Sequence, residues 1–167
     1  MKTQRKAFTM IELVFVIVVL GILASVAVSK MAVTRDDAMF VKGKSQVAAI
    51  RNAITLVRNT NMLQARGSAW PAALDDAAAG TLGEAIFDGD DTNATIGQLL
   101  DYPLYSTDKN GYWQKTATNA IFDTYSFKVM NVDVNFTYTV DSGRFECTQG
   151  AVNTTVLREK YCQILTR

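Results

Sequence analysis

Residues 1–28 read MKTQRKAFTMIELVFVIVVLGILASVAV, and the character of the whole chain turns on them. Lys2, Arg5 and Lys6 come first, and residues 8–28 then hold a single charge, Glu12. A helix of that length spans roughly 31 Å at ~1.5 Å per residue, which matches the hydrocarbon core of a bilayer. The basic flank predicts that this end stays cytoplasmic and that the rest of the chain is exported. A secretory signal peptide has the same basic-then-apolar order, with a small-residue site such as Ser25-Val26-Ala27. Two features argue against it. The apolar run exceeds the ~7–15 residues of a signal peptide's apolar region. It also contains a carboxylate, which is costly in a bilayer unless it has a use.

Composition narrows the remainder. The chain has 167 residues, 49% apolar and 20% charged, which excludes wholesale disorder. A net charge of +1 leaves no global basic field to argue for nucleic acid. There is no histidine, which removes the commonest general base and metal ligand. Two cysteines cannot build a zinc site alone, and no phosphate loop, G-x-S-x-G or carboxylate–histidine set is present. These absences point away from an enzyme.

Lys6-Ala7-Phe8-Thr9-Met10-Ile11-Glu12-Leu13-Val14 resembles the processing and methylation site of type IV pilins and of the pseudopilins of type II secretion. The resemblance implies cleavage between Ala7 and Phe8 by a prepilin peptidase, N-methylation of Phe8, and an assembly role for Glu12. It implies a leader over residues 1–7, a transmembrane and assembly helix over 8–29, and a periplasmic or extracellular pilin-like domain over 30–167. The expected fold is α+β, one long N-terminal helix packed on a small antiparallel sheet. Expected partners are other copies of the chain, further pilin-like subunits, the peptidase, an inner-membrane assembly platform and the membrane. Nucleic acid is expected only in a DNA-uptake pilus. The alternative is a membrane-anchored periplasmic binding domain that never polymerises. Two positions depart from the family pattern: Ala7 stands in place of glycine, and Ser29 stands near where many members carry a helix-kinking proline.

From Lys30 to about Arg66, Val33, Phe40, Val47 and Ile54 recur every seven residues, with Ile50 and Val57 on the same stripe. This predicts an amphipathic helix continuing the membrane segment and ending near Gly67. Residues 67–120 read as loop-rich, with a short helix around 74–87 and a turn at 96–100. Tyr125, Phe127 and Val129 alternate with polar residues, as do Val134, Phe136, Tyr138 and Val140, so residues 124–147 read as an antiparallel meander turning at Asp141-Ser142-Gly143. Its apolar face should cover the helical stripe. In an exported chain Cys147 and Cys162 should form a disulfide, pinning the C-terminal tail onto the last strand.

Charge is unevenly spread. Residues 30–66 carry a balance of +5, and residues 67–108 one of −8. The two faces attract one another within the monomer or between stacked subunits. Asp88-x-Asp90-x-Thr92 begins like an EF-hand but lacks the glycine and closing glutamate, so at most Asp88, Asp90 and Asp91 form a looser calcium site. Asn93, Asn135 and Asn153 head N-glycosylation triplets, Asn93 being the better candidate because Asn135 falls on a predicted strand. Trp70, Tyr102, Tyr105, Tyr112 and Trp113 could line a sugar or DNA site, but aromatics at this density usually pack cores and loops.

Overall fold

A computed structural model describes residues 8–65, 70–89, 99–148 and 156–167. Its elements are α1 (Met10–Leu63), β1 (Ala85–Ile86), β2 (Leu104–Tyr105), β3 (Trp113–Thr118), β4 (Phe122–Val129), β5 (Val132–Thr139), β6 (Arg144–Cys147) and α2 (Val156–Thr166). The chain divides into two compact units, Met1–Asp37 and Ala38–Arg167, and α1 contributes to both. The class is α+β, as expected from the sequence.

In the first unit α1 runs without proline, and its start is capped by Thr9, whose Oγ1 accepts the Glu12 N–H at 3.3 Å. The apolar residues from Met10 to Val28 face outward and none of that span is buried. A helix apolar on all sides needs an apolar environment from outside itself.

The second unit holds the core. Strands β3-β4-β5-β6 form an antiparallel meander in sequence order, and β1 and β2 form a separate two-stranded pair. The β4–β5 hairpin turns on Met130 and Asn131, both at positive φ (50° and 61°), the geometry of a two-residue type I′ turn. Asn110 clamps that turn, accepting the Asn131 N–H at 2.8 Å and donating to Asn131 Oδ1 at 3.0 Å. The inward alternation of β4 and β5 buries Tyr125, Phe127, Val129, Val134, Phe136 and Tyr138. Against them lie Val47, Ile50 and Ile54 of α1, with Phe40 and Val57 half-buried at the margin, so the sheet covers the predicted stripe from Phe40 to Val57, while the side chain of Val33 lies outside those described. Directional bonds set the register of helix on sheet. Trp113 Nε1 donates to Gln46 Oε1 at 3.0 Å, and Arg51 Nε donates to the Phe145 carbonyl at 3.0 Å. Gly43 lets the helix approach so closely that a β-carbon there would lie 2.5 Å from the Phe127 ring.

A buried charge cluster ties the 71–89 loop to the sheet. Lys115 Nζ sits 2.9 Å from Asp75 Oδ1 and 3.9 Å from Asp123 Oδ1, all three side chains nearly sealed from solvent. Asp75 Oδ2 accepts the Tyr125 hydroxyl at 2.8 Å and the Phe87 N–H at 3.1 Å. Breaking such a pair by removing one partner is costly, because the other charge stays buried.

Four expectations need correction. No helix forms around 74–87: Gly80, Gly83 and Phe87 take positive φ (83°, 86° and 60°), which interrupts any helix, and β1 stands at its end. The sheet begins earlier than residue 124, at Trp113, because the inward-facing Lys115 disguises the alternation of β3. Helix α1 ends at Leu63, followed by Ala65 at φ 52°, while Gly67 lies outside the described residues. The C-terminal segment is helix α2 rather than a tail lying on the last strand, with Tyr161, Cys162 and Leu165 as its buried face. The turn expected at 96–100 falls mainly on residues outside those described.

Candidate functional site

Phe8 and Glu12, singled out for processing and assembly, lie at the start of α1. Phe8 precedes the helix and is 82% exposed. Glu12 is in the first turn, where a carboxylate faces the positive end of the helix dipole. Thr9 and Glu12 together have the spacing of a capping box, in which the residue three places after the cap can answer the cap's own N–H. The sequence reading gives Glu12 a role in assembly; the Thr9-x-x-Glu12 spacing is the signal for an additional, local role at the helix start. From this turn the helix continues through 19 apolar-dominated residues, Met10–Val28, long enough to cross a bilayer.

Residues 2–28 match the family described as the prokaryotic N-terminal methylation motif. The chain carries the prepilin-type motif of type IV pilins and pseudopilins. Of the two departures noted, Ala7 falls inside the matched residues without preventing the match, and Ser29 falls just beyond them. No curated protein and no solved structure matches the chain. The prepilin motif implies peptidase processing and assembly with other subunits, and it points to a structural subunit rather than an enzyme. Together with the apolar helix it fits a protein anchored in a membrane and later exposed on a filament.

The remaining candidates disperse. Ala7, Asp90, Asp91, Asn93 and Asn153 lie outside the described residues. Asp88 is half-buried beside Gly89, and among the described residues no three acidic, cysteine or histidine side chains gather as a metal site. Asn135 sits on β5, as expected. The five aromatics do not form one surface. Trp113 is buried in the core, Trp70 is half-buried under the Arg58 guanidinium at 4.1 Å, and Tyr102, Tyr105 and Tyr112 are exposed. The Lys42 ammonium lies 4.1 Å from the Tyr112 ring and donates to the Gly111 carbonyl at 2.8 Å. Of the acidic 67–108 segment, Asp75 pairs with Lys115 and Asp108 with Lys128, both lysines of the sheet. Cys147 at the end of β6 is bonded to Cys162 of α2, so the disulfide joins strand to helix across 15 residues of sequence.

Proposed function

We propose that the protein is a structural subunit of a type II secretion pseudopilus or a type IV pilus-like filament. It is made as a membrane-inserted precursor with its N-terminus cytoplasmic. Prepilin peptidase cleaves it between Ala7 and Phe8 and methylates Phe8, and an inner-membrane platform then assembles it with copies of itself and other pilin-like subunits. One observation carries this reading: the prepilin motif at residues 2–28 takes in the Met10–Val28 span of α1, whose apolar residues are exposed. Such a surface is satisfied first by lipid and then by the same helix of neighbouring subunits.

Cleavage before Phe8 creates a cationic amine at the head of the helix, four residues from Glu12. In a staggered array the amine of one subunit reaches the Glu12 carboxylate of the next, and misaligned subunits would bury both charges unpaired. The capping role of Glu12 is separable from this by substitution. Glutamine keeps a capping-box side chain and discards the charge. The processed Glu12→Gln protein should therefore fail to enter filaments as completely as Glu12→Ala, while intact mass shows both cleaved and methylated. Normal filament yield from Glu12→Gln would mean that the residue serves as a cap and not as a register charge. A mature chain that stays a membrane monomer beside all filament machinery would instead favour an anchored, non-polymerising domain.

A further inference from the structure

The cluster of Lys115, Asp75, Asp123 and Tyr125 holds more chemistry than a structural ion pair requires. An amine and a carboxyl group lie in contact at 2.9 Å, with side-chain exposures of 4% and 0%. The second oxygen of that carboxyl, Asp75 Oδ2, receives two donors, the Phe87 N–H at 3.1 Å and the Tyr125 hydroxyl at 2.8 Å. A backbone N–H and a hydroxyl converging on one carboxyl oxygen form an oxyanion site, poised for charge that develops there. A third group, the Asp123 carboxyl, stands 3.9 Å from the same amine and is itself sealed from solvent. Nucleophile, electrophile, oxyanion donors and proton carrier are thus assembled in one buried place.

We infer that Lys115 and Asp75 join covalently, Nζ and the carboxyl condensing to an amide with Asp123 carrying the proton. Transfer of one proton across the 2.9 Å contact turns the ion pair into a neutral amine and a neutral acid, the reactive forms. Nζ attacks Cγ of Asp75, and the carbonyl electron pair moves onto Oδ2 between Phe87 N–H and Tyr125 O–H. Asp123 takes a proton from the attacking nitrogen. The tetrahedral centre collapses, the Cγ–Oδ1 bond breaks, and Oδ1 departs as water with the proton that Asp123 returns. Nothing is oxidised or reduced, and the product is an amide plus one water.

Three physical facts favour the step. Condensation of a free amine and acid is unfavourable in water, but groups held in contact react with effective molarities on the order of 10⁵–10⁸ M. The amide also removes two charges from a site where each is expensive to bury. Burial raises the ionisation of Asp123 above the ordinary carboxylate range, which makes its carboxylate a stronger base, and holds Tyr125 well above the ordinary phenol range, so that it remains a donor. The link would bolt the 71–89 loop to β3 independently of the disulfide at the other end of the sheet.

The test is the intact mass of the purified full chain after reduction and denaturation, read beside its tryptic peptides. The expected mass is about 18 Da, one water, below that of the processed sequence. Trypsin should leave the bond after Lys115 uncut and yield a branched peptide, residues 67–109 joined to residues 110–128. A chain of full mass overturns the inference. So does the same loss on a linear peptide, which would place a succinimide at Asp88-Gly89. Lys115→Arg should show full mass. Asp123→Asn, close in shape, should also show full mass while its disulfide and helix content are retained; a fully cross-linked Asp123→Asn protein would overturn the role given to Asp123. The wild-type mass decides the bond whether or not either variant folds.

Discussion

Replacing Gly43 by alanine sets two effects of similar size against each other, and the structure decides which wins. Within a helix, alanine is favoured over glycine by about 1 kcal/mol. On propensity alone Gly43→Ala should stabilise the protein. The new β-carbon, however, would lie 2.5 Å from Phe127 Cε1, 2.7 Å from Leu165 Cδ2 and 2.9 Å from Phe127 Cζ. Carbon atoms pack at about 3.5–4.0 Å, so helix and sheet must part by roughly 1 Å or Phe127 must turn. Phe127 cannot turn freely, because it is fully buried and its ring centre lies 5.0 Å from that of Trp113. Overpacking of this kind costs about 1–3 kcal/mol, more than propensity returns in most of that range. The net expectation is a loss of about 1 kcal/mol, a fall in Tm of roughly 2–4 °C for a chain of this size. Denaturation of the detergent-solubilised chain, followed by the fluorescence of buried Trp113, measures it. Ala49→Gly on the exposed side of α1 is the control, expected to lose about 1 kcal/mol by propensity alone. Both opposite exchanges should therefore destabilise. A Gly43→Ala protein more stable than wild type would refute the close approach of α1 to Phe127 and Leu165.

Reduction of the Cys147–Cys162 disulfide, or Cys162→Ser, should lower stability by about 3 kcal/mol through the loop-closure entropy it restores to the unfolded chain; denaturation curves that coincide with and without reductant would contradict this. Burial raises Tyr125 and Tyr138 above the ordinary phenol value of 10.0, so the folded chain keeps protons that the unfolded chain releases. Their contribution is complete below about pH 10 and is lost above it, by up to ~1.4 kcal/mol per pH unit for each tyrosine. Phenolate absorbance should accordingly show these two ionising only as the protein unfolds, and Tyr138→Phe should flatten the alkaline decline while losing the hydrogen bond to the Pro71 carbonyl. For Glu12, Gln and Ala substitutions should leave processing intact and abolish filament entry alike, as read by intact mass and by sheared-filament yield.

Periodicity and the N-terminal motif were sufficient for a good part of this protein. A basic leader, a single carboxylate in an apolar run and Phe8 are local features, legible without partners in space. The seven-residue stripe in α1 and the alternation in β4 and β5 were equally legible, because one buried face repeats at the period of its element. Segments whose burial breaks that rule escaped. Lys115 points inward from β3 as a charge, and only its meeting with Asp75, 40 residues away, makes that position tolerable. The 74–87 stretch looks helical by composition, but Gly80, Gly83 and Phe87 take positive φ where their N–H groups bond to the Lys115 carbonyl, the Ser106 carbonyl and the Asp75 carboxylate rather than along a helix. Helix α2 has a weak local signal and is held by Cys162, Tyr161 and Leu165 against elements far away in sequence. What a residue's neighbours along the chain decide can be read from the chain; a buried charge, a left-handed turn or a short tethered helix depends on groups brought together only by tertiary packing.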